Sequence, residues 1–431
     1  MKVLIIGSGG REDAFCWKFN GESGVEKVYV WPGNAGMNRL EKVELLSSES
    51  FEHLVKQASD LQVDLCVCGP EGPLAEGVAD LFKKADISFF GPSAQAAQLE
   101  GSKIFSKEFM RKYSIPTADF EVAESFEQAQ ELVSKWNMEE GIVLKADGLA
   151  SGKGVVVTNS LEEAQATVFD FMKDPQVSVK TDRLLLEKVL MGEEVSCFAL
   201  CSKESFFFLG SACDHKRVGD GDVGANTGGM GCFRDRKWPN PSLQEKIVEK
   251  VLKPTLTGMK KEGTPFTGFL FMGLMIDKEG EPWVIEYNVR MGDPETQTLF
   301  PLLKGSLASS LKQMADGGVV KDLELIDKDS VHVVLTSGGY PSIGKHSMSL
   351  GHELNLEKLS PSTRDLEIFY AGVKAQADQL CNSGGRVLGV TALGNSIEEC
   401  RLSVYREMQN IKLEASHYRK DIGLKPRGKS S

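Results

Sequence analysis

The chain has 431 residues, of which 41% are hydrophobic and 26% charged, so roughly two to four globular domains are expected. Its formal net charge of −11 argues against broad nucleic-acid binding, and no apolar run is long enough for a signal peptide or a membrane span. Nine scattered cysteines without C-x-x-C spacing argue against a zinc site or a disulfide framework, which favours a reducing cytoplasm.

The N-terminal stretch reads as strand, glycine turn and helix. An apolar strand at 3–6 is followed by the glycine-rich loop 7–11 and a helix predicted to begin near Glu12. Such an opening places an anion site at a helix N-terminus. The dinucleotide fingerprint is incomplete, because Glu12 stands at its third glycine position and the next strand ends at Trp31 instead of an acid. A nicotinamide cofactor is therefore disfavoured.

Two further strands, at 63–68 and 87–90, run into the turns Gly69-Pro70-Glu71 and Gly91-Pro92. Four strands separated by helices predict a doubly wound parallel α/β domain over residues 1–101. Ligands of such sheets bind beyond the carboxyl ends of the strands, where these loops lie. Tight turns without a ligand remain the alternative for each glycine taken singly.

A glycine-rich hairpin is predicted within the next region, 102–324. The strand that ends at Lys145 is followed by a loop with glycines at 148, 152 and 154 around Lys153, and then by a second strand. Glycines let backbone N–H groups approach phosphate oxygens, and the lysines add positive charge. The spacing is not that of a Walker A loop, which also opens a helix. A lid over a polyphosphate is predicted, with an ordinary flexible hairpin as the alternative.

Helices flank this hairpin. Lys103 opens one helix, and Ser125 and Ser160 each begin a capping box of a helix of about 12 residues. With a strand at 183–189, this predicts a compact α+β lid subdomain over about 115–190. Glu187 and Glu194 flank its exit, where solvated surface acids are the alternative.

The region after the lid holds two groups of polar residues. Strands near 196–200 and 206–209 lead to Asp214-His215-Lys216-Arg217 and a glycine-rich run to 231 without a secondary-structure pattern, which is typical of a functional or disordered segment. The four charged or polar residues beside glycines favour anion binding, with a solvated or structural His215 as the alternative. A hairpin of 268–276 and 283–288 puts Glu286 and Asn288 on one strand face, an oxygen pair that suits Mg²⁺. A cross-strand ion-pair surface explains Glu286 alone equally well.

The pattern changes from about residue 325. Strands at 331–335 and 386–391, and a helix capped by Ser396 and Glu399, predict a small C-terminal α+β domain over 325–423. The helix should bury one apolar face. The face comprises Ile397, Cys400, Val404, Met408 and Ile411. Residues 424–431 are predicted to be a disordered tail.

Together these motifs resemble the ATP-grasp ligases and, within them, the glycinamide ribonucleotide synthetases (phosphoribosylamine–glycine ligases). The most specific are the Lys-Ala-Asp-Gly and Gly-Asp-Pro-Glu-Thr-Gln runs, and the resemblance extends over nearly the whole chain. It implies an N-terminal substrate domain, a central ATP-grasp fold of two α+β subdomains and a small C-terminal domain. The motifs lie at residues 7–11, 69–71, 101–103, 145–154, 214–219, 226–231 and 285–297.

The resemblance implies roles for individual residues. ATP phosphates would contact Lys103 and Lys145 beneath the lid glycines and Lys153, adenine would lie against Glu187, Lys188 and Val189, and ribose would meet Glu194. Glu286 and Asn288 would bind Mg²⁺ or Mn²⁺. Charge complementarity assigns Asp214 to the glycine ammonium and Arg290 to its carboxylate, and with Lys145 these are the predicted catalytic residues. Substrate contacts are also expected from Gly9, Gly10, Arg11, Pro70, Glu71, His215, Lys216, Arg217, Asn226, Thr227, Gly228, Gly229, Gly292 and Asp293.

Three positions depart from the usual pattern. The family usually has His where Asp13 stands and Pro where Ala225 stands, and Asp13 should add negative charge near the phosphoribosyl site. The wider superfamily often places a metal-binding acid where Gly273 stands. Mg²⁺ would then rely on Glu286, Asn288 and the ATP phosphates.

The implied reaction is ATP-driven amide formation through glycyl phosphate, which needs no covalent nucleophile. The expected partners are ATP, glycine and phosphoribosylamine, with no nucleic acid or membrane, in a monomer or weak homo-oligomer. Another ATP-grasp carboxylate–amine ligase and a non-catalytic nucleotide-binding protein remain alternatives.

Overall fold

The computed structural model describes residues 1–150, 154–174, 179–320, 322–342, 347–361, 363, 365–377 and 379–424. Its N-terminal part is a five-stranded parallel sheet of order β3-β2-β1-β4-β5. The elements are β1 Lys2–Gly7, α1 Gly10–Asn20, β2 Lys27–Pro32, β3 Val43–Leu45, α2 Phe51–Asp60, β4 Leu65–Cys68, α3 Glu71–Ala75, α4 Val78–Lys84, β5 Phe89–Phe90 and α5 Gln98–Gly101.

This sheet confirms the predicted parallel α/β arrangement, with two differences. The edge strand β3 was not predicted, because three residues with one exposed glutamate carry too little periodicity. Helix α1 begins at Gly10, two residues before the predicted start. The strand order reverses between β1 and β4, so the loops that follow these two strands lie side by side.

The next part of the chain forms the lid as a separate four-stranded antiparallel sheet of order β6-β9-β7-β8. Ser125 and Ser160 accept hydrogen bonds from the backbone N–H groups of Gln128 and Glu163, which confirms both predicted N-caps. The elements are α6 Lys103–Lys112, β6 Phe120–Ala123, α7 Phe126–Lys135, β7 Ile142–Ala146, β8 Val155–Thr158, α8 Leu161–Met172 and β9 Leu184–Lys188.

Eight of the remaining strands build one antiparallel sheet of order β16-β15-β10-β11-β14-β19-β23-β20, and the others form the two-stranded pairs β12-β13, β17-β18 and β21-β22. The large sheet runs from β16, which carries Glu286 and Asn288, into the C-terminal region without a break. The elements are β10 Glu193–Ser202, β11 Ser205–Asp214, β12 Arg217–Gly219, β13 Val223–Asn226, β14 Gly231–Arg234, α9 Pro241–Ile247, α10 Lys253–Lys261, β15 Thr267–Ile276, β16 Pro282–Asn288, α11 Glu295–Leu299, β17 Leu303–Lys304, α12 Leu307–Ala315, β18 Glu324–Leu325, β19 Asp329–Thr336, β20 Leu366–Tyr370, β21 Val373–Gln376, β22 Gln379–Asn382, β23 Arg386–Gly394 and α13 Ile397–Met408.

Of two secondary-structure predictions for this part of the chain, one is wrong and one is confirmed. The run from 214 to 231 is not free of secondary structure, because β12 and β13 pair as a short hairpin within it. The predicted apolar face of α13 is buried as expected. The domain limits at residues 101, 324 and 423 stay predictions, and residues 425–431 of the predicted tail lie outside the described residues.

All nine cysteines are buried and none is in a disulfide. This agrees with the absence of a disulfide framework expected from their spacing. Among the helices of the described residues, none has the length and apolar character needed to cross a membrane.

Candidate functional site

The lid hairpin is anchored to the start of α6. Strands β7 and β8 pair with Lys145 opposite Val155, which confirms the two predicted strands. Ser102 Oγ donates to the Asp147 carboxylate at 2.9 Å, and Lys103 Nζ donates to the Gly148 carbonyl at 2.7 Å. The opening of the loop is therefore tied to the helix that carries Lys103. Gly152 and Lys153 lie outside the described residues.

Lys145 lies in a buried charge cluster. Its Nζ is 2.7 Å from Glu187 Oε1 and donates to the Ile285 carbonyl at 3.2 Å. Lys107, one turn beyond Lys103, contacts the other oxygen of Glu187 at 2.8 Å. Burial lowers the pKa of Lys107 to about 8, against the opposing effect of Glu187. Glu187 is thus shared by two lysines, of which the sequence reasoning had missed Lys107.

Residues 188 and 189 follow Glu187 at the end of β9. The Lys188 ammonium is half-exposed and pairs with Asp119 at 3.1 Å, so its side chain is engaged on the outside of the lid. Gly141 lies close to Val189, since a Cβ at Gly141 would meet Val189 Cγ2 at 3.0 Å. The adenine contacts predicted here stay a prediction.

The predicted metal pair lies on β16 as the strand alternation required. Tyr287 points the opposite way, into the core, where its hydroxyl is 2.6 Å from that of Thr255. Burial works to raise the pKa of Glu286, but the positive charges of Lys216 and Lys145 hold it below its ordinary value. Glu286 is therefore an ionised carboxylate between two lysines from different parts of the chain.

The β12–β13 hairpin brings a further charge pair beside Glu286. Lys216 Nζ lies 2.7 Å from Glu194 Oε1 on β10. Arg217 pairs in register with Asn226, and Thr227 donates both its N–H and its hydroxyl to the Lys216 carbonyl. The structure thus brings Glu194 and the Lys216 segment together, although the predicted ribose contact of Glu194 is not tested by this pair.

Asp214 lies partly buried at the end of β11, with its Oδ1 atom buried. Burial and the nearby Glu295 carboxyl raise its pKa above the ordinary range, and burial also raises that of Glu295. Asp214 Oδ1 has no hydrogen-bond partner among the described residues. Gly229 has a φ of +111°, and a Cβ there would meet Asp214 Oδ1 at 2.8 Å, so only glycine fits this approach. A buried, unpartnered carboxyl oxygen is a ready acceptor for an ammonium group.

His215 continues from Asp214. Its backbone N–H donates to Gly231 at 3.0 Å, and its carbonyl accepts from Met230 at 2.9 Å. The ring lies 5.8 Å from that of Phe233. These contacts fix the segment from both sides and hold the glycine-rich run against β14.

The N-terminal loop contains a carboxylate where a nucleotide-binding loop has a glycine. Glu12 accepts from the Gly9 N–H at 2.6 Å and pairs with Arg11 Nε at 2.5 Å. A Cβ on Gly69 would lie only 1.6 Å from Glu12 Oε1. The loops after β1 and β4 therefore meet through Glu12, and Gly10 packs beside Gln297.

Arg11 and Arg290 link this loop to the segment after β16. Arg11 Nη1 donates to the Met291 carbonyl at 3.1 Å. Arg290 lies 3.2 Å from Glu71, which follows Pro70 at the start of α3, and 2.8 Å from Glu100. Burial raises the pKa of Glu100 to about 7, against the effect of Arg290. Arg290 is already engaged by two acids, and its assignment to the glycine carboxylate stays a prediction.

Arg386 joins two predicted substrate segments that are far apart in sequence. Its Nη1 donates to the carbonyls of Gly228 and Asp293, both at 2.6 Å, and its Nη2 is 3.1 Å from the Asp293 carboxylate. Gly292 precedes Asp293 without room for a Cβ, which would meet Glu295 Oε2 at 2.2 Å. Sequence reasoning missed Arg386, because nothing near it in the chain marks it as part of a site.

The sequence suggested that Asp13 adds an unpaired negative charge, but the structure pairs it with Arg39. Both of its oxygens accept from Arg39, at 2.7 and 2.9 Å. The expectation of added negative charge near the phosphoribosyl site was therefore wrong, because the partner lies 26 residues away in sequence.

Three family models match the chain in succession. Residues 1–100 match the phosphoribosylglycinamide synthetase N domain, 101–296 its ATP-grasp (A) domain and 330–425 its C domain. The chain belongs to the phosphoribosylglycinamide synthetase family. This confirms the resemblance seen in the sequence and the ATP-grasp fold.

Curated relatives agree with this membership. Phosphoribosylamine–glycine ligases of Chlorobaculum tepidum and Escherichia coli O157:H7 are 40% and 41% identical, with 99% and 98% of this chain covered and 100% and 98% of theirs. The chain spans about half, 53%, of the bifunctional purine biosynthetic protein of Pichia angusta, to which it is 40% identical over 98% of its own length.

Solved structures show the same fold. Phosphoribosylamine–glycine ligase of Thermotoga maritima is 34% identical, with a TM-score of 0.84 over 98% of this chain and all of the other. A biotin carboxylase domain of Hydrogenobacter thermophilus 2-oxoglutarate carboxylase has a TM-score of 0.70 over 96% of this chain and 91% of the other, at 15% identity. The second likeness extends the fold beyond the phosphoribosylglycinamide synthetase family.

Proposed function

We propose that this protein joins glycine to 5-phosphoribosylamine in an ATP-dependent reaction, giving glycinamide ribonucleotide, ADP and phosphate. The observation that carries the proposal is the buried contact of Lys145 of the lid with Glu187 at 2.7 Å and with the carbonyl of Ile285, the residue before Glu286 on β16, at 3.2 Å. The charges of Lys216 and Lys145 also hold the pKa of the Glu286 carboxyl below its ordinary value. That is the arrangement needed to hold a polyphosphate and a metal ion beside a second substrate.

The nucleotide is assigned to the region where Lys145 of the lid sheet contacts β16 of the eight-stranded sheet. Lys103 and Lys145 contact its phosphates under the loop bounded by Gly148 and Gly154, and the strand end at Glu187 lines the adenine. In the absence of phosphate the Lys145 ammonium is balanced by Glu187. Because Lys107 also neutralises Glu187, Lys145 can turn towards a phosphate without leaving that carboxylate unpaired.

Glu286 and Asn288 are the residues assigned to Mg²⁺ or Mn²⁺. They fit such an ion, because an ionised carboxylate and an amide oxygen lie two residues apart on one strand face. Asn288 Oδ1 accepts from Arg290 Nη2 at 3.0 Å, which orients the amide. Within the described residues no cluster of three or more His, Cys, Asp or Glu could hold a metal unaided. When bound, the ion would neutralise charge on the ATP phosphates.

The two remaining substrates are assigned to the far side of Glu286. Asp214 Oδ1, buried and unpartnered, accepts from the glycine ammonium, while Arg290 faces the glycine carboxylate. Phosphoribosylamine is assigned to the loops at Gly9–Arg11 and Pro70–Glu71 and to the segments joined by Arg386. These loops meet at the switch point of the N-terminal sheet, where anions bind in such folds.

The chemistry follows from these positions. A glycine carboxylate oxygen attacks the γ-phosphorus, the bond from that phosphorus to the β-phosphate bridge breaks, and ADP leaves. The amine of phosphoribosylamine then attacks the carbonyl carbon of glycyl phosphate, loses a proton and expels phosphate. The protein positions the groups, neutralises charge and excludes water from the acyl phosphate. A monomer or weak homo-oligomer in a reducing cytoplasm completes the proposal.

Oxygen-18 in the glycine carboxylate tests the reaction. One glycine oxygen should leave with inorganic phosphate in every turnover, which mass spectrometry of the released phosphate detects, and the nucleotide product should be ADP. Label in AMP would indicate an adenylating ligase. Turnover with another acid but no label from glycine would indicate a different ATP-grasp ligase, and ATP binding without turnover would leave only a nucleotide-binding protein.

A further inference from the structure

An ion pair between a fully buried acid and a partly exposed arginine joins the first turn of α1 to the segment after β2. Asp13 is fully buried, and the Arg39 guanidinium donates to both of its oxygens in a bidentate pair at 2.7 and 2.9 Å. The backbone N–H of Tyr370, at the end of β20, donates to the same carboxylate at 2.8 Å. A charged acid at this depth requires such partners, because burial alone would make it costly to ionise.

Arg39 makes further hydrogen bonds. Its Nη1 and Nη2 groups also donate to the carbonyls of Gly36 at 2.9 Å and Ile368 at 3.0 Å, respectively. The guanidinium carbon lies 4.8 Å from the centre of the Tyr370 ring. Asn34 adds a parallel link, since its amide donates to the carbonyls of Ser8 and Tyr370. The pair therefore has a fixed position between the N-terminal loop and β20.

The pair lies directly behind the proposed phosphoribosyl site. The Asp13 N–H donates to the Gly9 carbonyl at 3.0 Å, so this acid belongs to the turn that presents Gly9, Gly10 and Arg11. It follows Gly10 by about one turn, roughly 5 Å along the helix axis. A helix N-terminus attracts a phosphate through its free N–H groups and its dipole, and an uncompensated carboxylate one turn behind opposes that attraction.

We propose that Arg39 acts on phosphoribosylamine binding by charge compensation. By neutralising Asp13 it preserves the positive potential of the α1 N-terminus. The inference rests on the proposed function, because it concerns the substrate of that same site.

Charge compensation can be separated from structural support with three variants. Arg39→Gln removes the cation that balances Asp13 and leaves the Tyr370 N–H as a hydrogen-bond donor to that carboxylate. Asp13→Asn removes the acid, and the double variant removes both charges and the ion pair. Arg39→Gln should raise the KM for phosphoribosylamine about tenfold, an effect expected of one unit charge acting through a mostly polar medium. The KM values for glycine and ATP should stay within about twofold. Added salt should lessen the defect.

The double variant decides between the two roles. Under charge compensation, its KM for phosphoribosylamine should return to within about threefold of the unmutated value, although the ion pair is lost. A purely structural role predicts a double variant at least as impaired as Arg39→Gln. Lys27→Gln is the matched control, because it breaks the half-exposed pair with Glu44 on the neighbouring strands.

The outcomes distinguish this inference from the proposed function. If the unmutated protein releases no ADP in response to glycine and phosphoribosylamine, the proposed function fails. If the unmutated protein turns over but Arg39→Gln has an unchanged KM, or the double variant stays impaired, the inference is overturned. If Arg39→Gln does not fold, the double variant and Arg39→Lys replace it in the test, because Arg39→Lys keeps the positive charge. Both should bind phosphoribosylamine nearly normally, and a raised KM in either contradicts the inference.

Discussion

Replacement of Lys145 by alanine tests the nucleotide end of the site. The side chain is 7% exposed, and its ammonium touches only Glu187 and a backbone carbonyl among the contacts described above. Truncation leaves Glu187 paired with Lys107 at 2.8 Å. The loss of stability should therefore stay below the about 3–5 kcal/mol typical when a buried ion is left without any partner.

The expected loss of activity is much larger. A unit charge about 4 Å from a phosphate oxygen contributes about 4 kcal/mol at an effective dielectric constant of about 20. If that interaction strengthens as charge moves to the γ-phosphate oxygens, its removal lowers kcat by about a thousandfold, since each 1.36 kcal/mol corresponds to about tenfold. Lys145→Ala should fold and unfold cooperatively but release ADP about a thousand times more slowly.

The assay is ADP release with saturating ATP, glycine and phosphoribosylamine, accompanied by thermal unfolding. Lys135→Ala is the control, because that lysine is 69% exposed on α7 of the same lid and pairs only with Glu131 one turn away. It should keep full activity. A Lys145→Ala protein with kcat within about threefold of the unmutated value would refute the assignment of this lysine to the phosphates.

Three further results are expected. Glu286→Gln should reduce activity more than Asn288→Ala, and excess Mn²⁺ should restore the latter better; metal titration checks this, and full activity without any divalent ion would exclude the site. Arg290→Ala should raise the glycine KM about 30-fold or more while calorimetry shows unchanged ATP affinity, because a substrate carboxylate loses its charge partner in a closed site; the opposite result would move Arg290 to the nucleotide. Burial raises the pKa of Glu100 from 4.5 to about 7, so between these pH values the folded protein keeps a proton that the unfolded chain releases, and the free energy of unfolding falls by up to about 3 kcal/mol as pH rises. Glu100→Gln should remove this part of the pH dependence of the free energy of unfolding, measured by denaturant titration. An unchanged pH dependence would contradict the shift.

Local patterns were enough for many of the elements, although not for β3 or the β12–β13 hairpin, and for the residue types of each motif. The alternation of residues on β16 placed Glu286 and Asn288 on one face, and hydrogen bonding confirmed Ser125 and Ser160 as helix caps. These features depend on periods of two or about four residues, which a sequence displays directly. The family resemblance rested on the same kind of short, ordered motifs, and the family models confirm it.

Only the tertiary structure decided which charges meet. Arg386 donates to Gly228, which is 158 residues away in sequence. Asp13 contacts Arg39 and Tyr370, which are 26 and 357 residues away. Nothing in the neighbouring sequence specifies such a partner, because an ion pair depends on where two chain segments pack. The sequence therefore determined the family, the strand and helix pattern and the residue types available for catalysis. The packing of distant segments determined which acids stay ionised, which are neutralised and which remain open to a substrate.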